Sequence, residues 1–464
     1  MSLIKSISGI RGTIGDADGL DPITVVKYTL AFASVINKKY PNITPSILVG
    51  RDGRVSGNAI KQLVINSLIC SGINVYDADY STTPTLEMAI PHLNCQAGIM
   101  ITASHNPQNW NALKFFDENG EFITEQILKE IEYIANNNED FYLVKEQYFG
   151  QVYSATDIID YHIKKIIELP YIKTQLIKES NFKIIVDTIN STGSIAIKKL
   201  FDALGIENYT FLNEEVNGLF EHNPEPLPEN LSQLSFTIKM NKANVGFAVD
   251  PDVDRLAIVC EDGEMFGEEY TIVAIADYVL EKKPGPVVVN MSTTQAVKYV
   301  ADKYNCPIYY TPVGEINVVN KMKEVGAVIG GEGNGGVILP ELHYGRDAIL
   351  GIALFLSFLA EKQKPVSVIR SYYPNYYMIK SKIETKDMNI TVDKILDEIQ
   401  KRNSHLKFIN IDGIKFMDDD DTWIHLRPSN TEPIIRIYIE SSNQTKCESF
   451  LYKIMQDIND ILKQ

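Results

Sequence analysis

The sequence predicts an α/β protein of four domains, in which three related α/β domains with mixed sheets precede a smaller α+β domain. The chain has 464 residues, which is too long for one hydrophobic core and favours about three domains, with four allowed. One pattern of apolar strand, polar or glycine-rich loop, amphipathic helix and second strand occurs three times. After residue 365 the strands and helices no longer follow this repeat, which is typical of a small α+β domain.

Each repeat has the length of one βαβ unit. The predicted strand and helix of the successive repeats are 46–49 and 58–70, 182–187 and 194–204, and 286–290 and 295–303. A strand, a helix and a second strand within about 30 residues place two strands parallel in one sheet. The spacing between repeats is far too long for a solenoid, so the repeats predict three separate domains.

Shifts in composition give the domain boundaries. Polar stretches at 136–150, 239–244 and 362–365 separate the apolar segments. The predicted domains are residues 1–145, 146–244, 245–365 and 366–464. In the last domain we expect strands and helices at 376–383, 392–402, 422–426, 434–440 and from about 445 to the end.

Charge and cysteine content exclude several classes of protein. The formal net charge of −16 argues against a duplex-binding surface and predicts no nucleic-acid partner. An anionic small substrate stays possible, because a few arginines in a cleft decide the local field.

No apolar run approaches the ~20 residues of a membrane span, and the first residues lack a signal-peptide pattern, so we expect no membrane partner. Five scattered cysteines without a CxxC pair predict reduced thiols and a cytoplasmic location.

A buried strand expected at 97–101 stops at a polar turn. The turn contains Thr102, Ser104 and His105 and ends at Pro107, which cannot donate to a strand ladder and disfavours helix before it. A serine beside a histidine at the end of a buried strand is where an α/β protein displays a reactive group. The alternative is a polar turn with a capping serine, and this stretch alone leaves both interpretations open.

Three carboxylates alternate between two apolar strands further along the chain. Asp250, Asp252 and Asp254 share one face if the backbone is extended, and they repel one another unless a cation lies among them. Mg²⁺ is the expected hard cation with oxygen ligands. An EF-hand is the alternative, since Glu261 falls at its twelfth position. It is disfavoured because Arg255 stands in place of the required glycine. A solvated acidic turn is the remaining alternative.

Residues 329–337 form a loop with almost no side chains except Glu332 and Asn334. Glycines let the backbone approach a ligand closely, and these two side chains can hydrogen-bond to neighbouring hydroxyls. Glycine-rich loops are common, so the pattern is weak by itself. It matches neither a Walker A loop nor a dinucleotide fingerprint, and it predicts no nucleotide.

Two arginines flank a polar turn near the end of the chain. Arg427 and Arg436 enclose Ser429, Asn430 and Thr431. Guanidinium groups, hydroxyls and free backbone N–H groups are suited to hold a phosphate. The alternative is an ordinary surface turn between two strands.

Together and in this order, the four motifs resemble the α-D-phosphohexomutase superfamily of phosphoglucomutase, phosphomannomutase and phosphoglucosamine mutase. The resemblance begins at Ser8-Gly9-Ile10-Arg11-Gly12 and ends in the segment 427–433, so it covers nearly the whole chain. The segments 102–107 and 250–255 are highly specific to that superfamily. The resemblance implies a phosphohexomutase with four domains around a central cleft.

The resemblance also implies roles for individual residues. Ser104 would carry a phosphoryl group, primed by a hexose 1,6-bisphosphate, and Asp250, Asp252 and Asp254 would bind Mg²⁺ together with a phosphoserine oxygen on Ser104. The residues implied in catalysis and proton transfer are Lys114, His105, Arg11 and Arg255. The residues implied or expected in substrate binding are Glu315, Glu332, Asn334, Arg427, Ser429, Asn430, Thr431 and Arg436.

Several positions depart from the commoner pattern of the superfamily. Asn334 stands where many relatives have serine, and Asn430 replaces a frequent glycine. Glu315 stands where hexose mutases of other specificity carry histidine. The glycine-rich loop and the acid at 315 look most like the phosphoglucosamine mutase branch. An acidic side chain near the sugar can pair with a 2-ammonium group, which a neutral hexose lacks.

The resulting hypothesis is an isomerase of amino-sugar biosynthesis that interconverts glucosamine 6-phosphate and glucosamine 1-phosphate through a phosphoserine and a bisphosphorylated sugar. The alternative is a phosphomannomutase/phosphoglucomutase. A non-catalytic sugar-phosphate-binding protein and a metal-dependent phosphatase with an aspartate nucleophile represent other classes. We expect sugar phosphates as small-molecule partners, and a monomer or homodimer.

Overall fold

The structure is a computed structural model that describes residues 3–16, 18–137, 141–385, 390–419, 421–429 and 434–462. The chain divides into two compact units, the first formed by residues 1–271 and 335–367 and the second by 272–334 and 368–464. Within the described ranges, no helix is both long and apolar enough to cross a membrane.

The helices and strands follow one another in the order that the repeats predict. Up to residue 155 they are β1 (Ile4–Ser6), β2 (Gly9–Thr13), α1 (Pro22–Lys39), β3 (Ser46–Arg51), α2 (Gly57–Cys70), β4 (Asn74–Tyr80), α3 (Thr83–His92), β5 (Ala97–Ile101), β6 (Trp110–Phe116), α4 (Glu125–Asn136) and β7 (Val152–Ser154). The next are α5 (Ile158–Ile167), α6 (Thr174–Ser180), β8 (Ile184–Asp187), α7 (Gly193–Leu204), β9 (Tyr209–Leu212), α8 (Ser232–Asn241), β10 (Val245–Val249), β11 (Leu256–Cys260) and α9 (Glu268–Lys282).

The remaining elements lie beyond residue 285. They are β12 (Val287–Asn290), α10 (Ala296–Lys303), β13 (Ile308–Thr311), α11 (Glu315–Val325), β14 (Ile329–Glu332), β15 (Gly336–Ile338), α12 (Ala348–Lys362) and α13 (Val366–Arg370). The last stretch has β16 (Tyr377–Glu384), α14 (Val392–Arg402), β17 (Lys407–Ile409), β18 (Ile414–Asp419), β19 (Thr422–Pro428), β20 (Ile434–Ser441) and α15 (Gln444–Leu462).

The first unit contains two mixed sheets. The larger has the order β1-β2-β6-β5-β3-β4-β7, and the smaller has the order β11-β10-β8-β9. In the larger sheet β3 pairs in parallel with both β4 and β5, whereas β6 runs antiparallel to β5. Parallel strands are covered on both faces, and accordingly every residue of β5 is buried.

The polar stretch that predicts a linker after the first domain leads directly into the last strand of the larger sheet. Val152 of β7 pairs in parallel with Val75 of β4, and the Val144 amide donates to the Cys70 carbonyl at the end of α2. Polar composition alone does not distinguish a linker from an edge strand, since an edge strand has solvent on one side. The domain boundary at residue 145 stays a prediction.

The second unit also contains two sheets. In one, β12 pairs in parallel with β13 and β14. The other is an antiparallel sheet in the order β16-β20-β19-β18-β17, against which α14 and α15 pack their apolar faces. The prediction of three α/β repeats followed by an α+β sheet domain is confirmed.

The predicted repeats form the expected parallel pairs. These are β3 with β4, β8 with β9 and β12 with β13, and each helix begins within one residue of its predicted start. Helix α12 is buried from Ala348 to Ala360, as expected for a helix that is apolar on every side. It begins at Asp347, whose carboxylate accepts the N–H groups of Ile349 and Leu350.

Candidate active site

Ser104 lies in the turn that follows β5, three residues beyond the end of that buried strand. Its backbone is left-handed, with φ of 48°, a conformation that is costly for residues with a Cβ. The backbone N–H of Ser104 donates to Thr102 Oγ1 at 2.9 Å. The Ser104 hydroxyl donates to Asp250 Oδ2 at 2.7 Å and lies 3.3 Å from His105 Nδ1. The turn therefore presents a 5 % exposed hydroxyl directly to a carboxylate.

The three aspartates converge, but not for the reason expected from the sequence. Residues 250–254 form a turn and not an extended strand: the Val253 N–H donates to the Asp250 carbonyl at 3.0 Å, and Val253 has φ of 62°. Asp250 Oδ1 accepts the N–H groups of Asp254 and Arg255 at 3.0 and 3.1 Å. The turn brings one oxygen of Asp250, Asp252 and Asp254 within 4.8 Å of one another. The extended-backbone argument is wrong, because the loop folds back on its first carboxylate.

Two of these aspartates form ion pairs, and each keeps one carboxylate oxygen without a hydrogen bond within the described residues. Asp252 Oδ2 accepts from Lys114 Nζ at 2.7 Å and from Thr83 Oγ1 at 2.5 Å. Asp254 Oδ2 accepts from Arg346 Nη2 at 2.6 Å. The Oδ1 atoms of Asp252 and Asp254 are buried and have no hydrogen-bond partner within the described part of the chain. Buried carboxylate oxygens of this kind fit a hard divalent cation.

The ionisation of the triad follows from burial and from its neighbours. Burial and the charges of Asp254 and Asp252 raise the pKa of Asp250 well above its ordinary value. For Asp252, burial disfavours the charged form, but the charge and hydrogen bond of Lys114 outweigh it and lower the pKa of Asp252. Burial also opposes the charge of Lys114, yet Asp252 and Asp254 hold the pKa of Lys114 above its ordinary value. A divalent cation would favour the ionised form of all three carboxylates.

Two further predicted residues surround the Ser104 turn. Arg11 on β2 donates from Nη1 to Asn106 Oδ1 at 3.2 Å and from Nη2 to Ser8 Oγ at 2.9 Å. Arg255 pairs through Nη1 with Glu225 at 3.1 Å, and its Nη2 lies 3.4 Å from His105 Nε2. The first unit thus brings together Ser104, His105, Lys114, Arg11, Arg255 and the aspartate triad.

Residues 329–334 of the glycine-rich loop belong to the second unit. Glu332 at the end of β14 is 2 % exposed, and its Oε1 accepts from Asn290 Nδ2 at 2.7 Å and from the Gly314 N–H at 3.1 Å. Asn334 Nδ2 lies 3.5 Å from Glu332 Oε2. Glu315 is half-buried at the first position of α11, directly after Gly314. The predicted residues Glu315, Glu332 and Asn334 therefore share one end of this sheet.

The candidate phosphate segment lies on β19 and β20, also in the second unit. Arg427 and Arg436 are directly opposite each other in the antiparallel ladder, and the Ser429 N–H donates to the Ile434 carbonyl at 2.9 Å. Arg427 Nε lies 3.9 Å from Asp412 Oδ2. Asn430 and Thr431 lie outside the described residues.

The sequence did not reveal four side chains that complete the first-unit site. They are Thr83 and Arg346, which hold Asp252 and Asp254, Glu225, which pairs with Arg255, and Arg54, which lies under the Ser104 turn. For Arg346 the sequence gives a weak indication, because the pair Arg-Asp before an entirely apolar segment is typical of a helix start. The others are distant in sequence, and only the fold brings them to the site.

Comparison with known proteins agrees with this geometry. Family models match along the chain, described as phosphoglucomutase/phosphomannomutase α/β/α domain I (residues 3–141), domain II (160–263), domain III (267–376) and C-terminal domain (378–456). A phosphoglucomutase/phosphomannomutase of Thermococcus kodakarensis is 32 % identical over 461 residues, covering 98 % of both chains.

Two further relatives extend the comparison. A Methanopyrus kandleri protein named probable phosphoglucosamine mutase is 30 % identical over 441 residues, covering 95 % of this chain and 94 % of its own. The crystal structure of a phosphoglucomutase/phosphomannomutase family protein from Burkholderia thailandensis has a TM-score of 0.81 at 24 % identity, covering 99 % of this chain and 98 % of that one. The likeness in structure supports the fold.

Fold and site define an enzyme that moves phosphoryl groups within sugar phosphates. The chain belongs to the phosphoglucomutase/phosphomannomutase family of the α-D-phosphohexomutase superfamily. It is a phosphohexomutase, an intramolecular phosphotransferase of the isomerase class. Members of this family generally use Mg²⁺ and a phosphoserine.

Proposed function

We propose that the protein is a phosphoglucosamine mutase that interconverts glucosamine 6-phosphate and glucosamine 1-phosphate. The observation that carries the phosphoserine mechanism is the buried Ser104 hydroxyl, 2.7 Å from Asp250 Oδ2 and surrounded by both carboxylates and cations. A transferring phosphoryl group is negatively charged, and cationic side chains offset that charge. Carboxylates are needed to hold a metal cation beside it.

The proposed reaction consists of two phosphoryl transfers. Ser104 loses a phosphoryl group in the first and regains one in the second. In the first, the bond between phosphorus and Ser104 Oγ breaks, a bond to the sugar O1 forms, and the O1 proton replaces the phosphoryl group on Ser104. In the second, after the bisphosphorylated sugar has turned around, its O6 phosphoryl group returns to Ser104 Oγ and the serine proton passes to O6. A hexose 1,6-bisphosphate supplies the first phosphoryl group to an unphosphorylated enzyme.

The first-unit residues would divide this work. Lys114, which its ion pairs with Asp252 and Asp254 keep protonated, would give its proton to the leaving oxygen and take one from the attacking hydroxyl in each transfer. His105 would orient the Ser104 hydroxyl. Arg11 and Arg255 would offset charge on the transferring group, since guanidinium forks bind phosphoryl oxygens well.

The residues that would hold Mg²⁺ are Asp250, Asp252 and Asp254, with a phosphoryl oxygen on Ser104. The unbonded Oδ1 atoms of Asp252 and Asp254 support this assignment. When bound, the ion would supply Lewis-acid stabilisation of the charge on the transferring phosphoryl group.

The second-unit residues would select the substrate. Glu332 and Asn334 would contact sugar hydroxyls, and Arg427, Ser429, Asn430, Thr431 and Arg436 would hold the phosphate that is not reacting. We propose that Glu315 favours an amino sugar, since a carboxylate can pair with a 2-ammonium group. The Methanopyrus kandleri relative named for this activity supports the choice.

The deciding experiment compares kcat/KM for the 1-phosphates of glucosamine, glucose and mannose. We expect a clear preference for glucosamine 1-phosphate in the wild-type protein and a reduced preference in Glu315→Gln, with glucose 1-phosphate turnover unchanged. Glu324→Gln on the exposed end of the same helix is the control. A preference for glucose or mannose 1-phosphate would contradict the proposal.

That contrary outcome would favour the second candidate, a phosphomannomutase/phosphoglucomutase. The observation that supports this candidate is the Thermococcus kodakarensis relative, which is named for that pair of activities and matches along the whole chain. Both candidates share the phosphoserine chemistry and differ only in the sugar that the second unit accepts.

We further propose a cytoplasmic enzyme that exists as a monomer or homodimer. None of the five cysteines, all of which lie in the described ranges, forms a disulfide bond, which suits a reducing compartment. Light scattering of the purified protein determines the oligomeric state.

A further inference from the structure

Arg54 is a buried arginine that the sequence did not connect with the site. It lies in the turn between β3 and α2 and is 1 % exposed. Its guanidinium points into the Ser104 turn and donates to a series of backbone carbonyl oxygens. These are Ser104 (2.6 Å) and Asn106 (2.7 Å) from Nη2, and Pro107 (2.7 Å), Trp110 (2.9 Å) and, at 3.5 Å, Gln108 from Nη1.

The third donor atom of the Arg54 guanidinium, Nε, is linked to Ser104 by a second route. Nε donates to Asp52 Oδ2 at 3.1 Å, and the same oxygen accepts the Thr102 hydroxyl at 2.7 Å. Thr102 Oγ1 in turn accepts the Ser104 N–H at 2.9 Å. The backbone N–H and the carbonyl of Ser104 are therefore both held by a network that contains Arg54.

The same turn is also tied to the aspartate loop. The Gly53 N–H donates to Ser191 Oγ at 2.9 Å, and the Ser191 hydroxyl donates to the Pro251 carbonyl at 2.7 Å. Pro251 lies directly after Asp250. One short turn is therefore connected to the Ser104 turn through Arg54. It is connected to the loop of the aspartates through Gly53 and Ser191.

Arginine is the residue type that this arrangement requires. Its five N–H groups lie in one plane with fixed directions, whereas a lysine ammonium has three donors at a single point. The carbonyls of residues 104, 106, 107 and 110 face the buried guanidinium, and backbone carbonyls away from water need donors. A buried guanidinium is costly without a counter-charge, and Asp52, with no exposed surface, supplies one.

We propose that Arg54 is a positioning residue, which holds the left-handed turn so that the Ser104 oxygen keeps its place beside Asp250 whether or not it carries a phosphoryl group. This inference rests on the proposed phosphoserine chemistry. Within the described residues, Arg54 donates no hydrogen bond to the Ser104 side chain or to the triad, and it acts through the backbone of residues 104–110.

The test compares Arg54→Lys with Arg51→Lys. Arg51 is the matched control, since it is buried on the same segment but pairs with Asp79 at 2.8 Å and stacks on Tyr80. We measure the rate at which glucose 1,6-bisphosphate phosphorylates Ser104, by intact-protein mass spectrometry, together with kcat, KM, Mg²⁺ affinity by calorimetry and the melting temperature.

We expect Arg54→Lys to lower kcat and the phosphorylation rate by about 100-fold, the scale of a misplaced reacting group, while KM and Mg²⁺ affinity stay close to wild type. Arg51→Lys is expected to keep both rates. Thr102→Val supplies a second route if Arg54→Lys does not fold: it should slow phosphorylation, and Thr102→Ser, which restores the hydroxyl, should recover it.

Unchanged phosphorylation rates in Arg54→Lys and Thr102→Val would overturn the proposal. So would a loss of Mg²⁺ affinity and melting temperature in step with the rate, since that pattern indicates general unfolding. A wild-type protein that is phosphorylated at Ser104 but isomerises no hexose phosphate would refute the proposed function and leave this comparison valid.

Discussion

Ser104 combines an unfavourable backbone conformation with a buried hydroxyl that donates to a carboxylate. A left-handed conformation costs about 1–2 kcal/mol for a residue with a Cβ, and it persists where surrounding contacts determine it. Here those contacts are the hydrogen bond that the Ser104 N–H donates to Thr102 Oγ1 and the one that the Ser104 carbonyl accepts from Arg54. In this conformation the Ser104 hydroxyl donates to Asp250 Oδ2.

Replacing Ser104 by alanine should remove both the phosphoserine and the mutase activity. We expect kcat to fall at least about a thousandfold, as for other lost nucleophiles, because no other group can receive the phosphoryl group. Phosphopeptide mapping and kinetics measure the two effects, with exposed Ser371→Ala as the control. Activity that survives in Ser104→Ala would indicate a phosphatase with an aspartate nucleophile.

Replacing Arg427 by alanine should weaken substrate binding more than it slows the reaction. A charge-assisted hydrogen bond to phosphate contributes about 1.5–3 kcal/mol, so we expect KM to rise about 10- to 100-fold with little change in kcat. Steady-state kinetics on the preferred sugar phosphate provide the measurement. Arg402→Ala, which breaks a pair with Asp457 on α15, is the control, and an unchanged KM in Arg427→Ala would contradict the phosphate role.

At the scale of elements, a buried histidine cluster joins the helices that hold the aspartate loop. Asp347 at the start of α12 accepts from His162 of α5 at 2.8 Å and lies 3.3 Å from His343, which is 3.4 Å from Glu87 of α3. Thr83 and Arg346, which bind Asp252 and Asp254, begin or precede these same helices. The cluster therefore links α3, α5 and α12, and two of these helices begin beside the aspartates.

The same cluster should make stability depend on alkaline pH. Burial opposes the charge of His343, but its bonds to Asp347 and Glu87 outweigh burial and raise the pKa of His343 from 6.5 to about 9. The resulting stabilisation, roughly 3 kcal/mol at most, is complete below pH 6.5 and is lost as the pH rises through about 9.

Thermal unfolding between pH 6 and 10 measures this effect. We expect His343→Gln to be less stable than wild type at pH 6 and to approach it above pH 9. His405→Gln, at an exposed position, should leave the pH dependence unchanged. A constant difference between wild type and His343→Gln across the range would show that His343 is not charged in the folded protein.

At the scale of the whole molecule, the net charge of −16 coexists with a site built for anionic substrates. Around Ser104, the cations Lys114, Arg346 and Arg255 lie within ion-pair distance of the aspartates. The local arrangement of charges decides what binds, while the global charge bears on solubility.

We expect the removal of divalent cations to lower both the activity and the melting temperature. We expect EDTA to abolish turnover and Mg²⁺ to restore it. At about 100 times its Kd, Mg²⁺ should stabilise the fold by roughly 2.7 kcal/mol, seen as a rise in melting temperature. Asp252→Asn should lose this rise, whereas Asp262→Asn, an exposed residue of the following turn, should keep it. Full activity in chelator would contradict the metal role of the triad.

Local patterns were sufficient to predict the repeats, a C-terminal α+β sheet domain and helix α14, which spans Val392–Arg402 as expected. Apolar periodicity and turn residues act over a few neighbours, so they are visible in the sequence. The motif spacing and its resemblance to a family were sufficient to single out Ser104, Lys114 and the triad. The reason for the convergence of the triad was not visible, because Val253 gives no sign of a left-handed turn.

The tertiary structure alone decided which distant residues complete the site. Arg54 and Ser104 are 50 positions apart, and Lys114 and Asp252 are 138 apart, so no local preference links them. A buried arginine has the same sequence signature as an exposed one, and its partners depend on how strands β3, β5 and β6 pair. The sequence by itself determined the elements and the candidate site residues, and the packing of those elements determined which buried charges lie beside them.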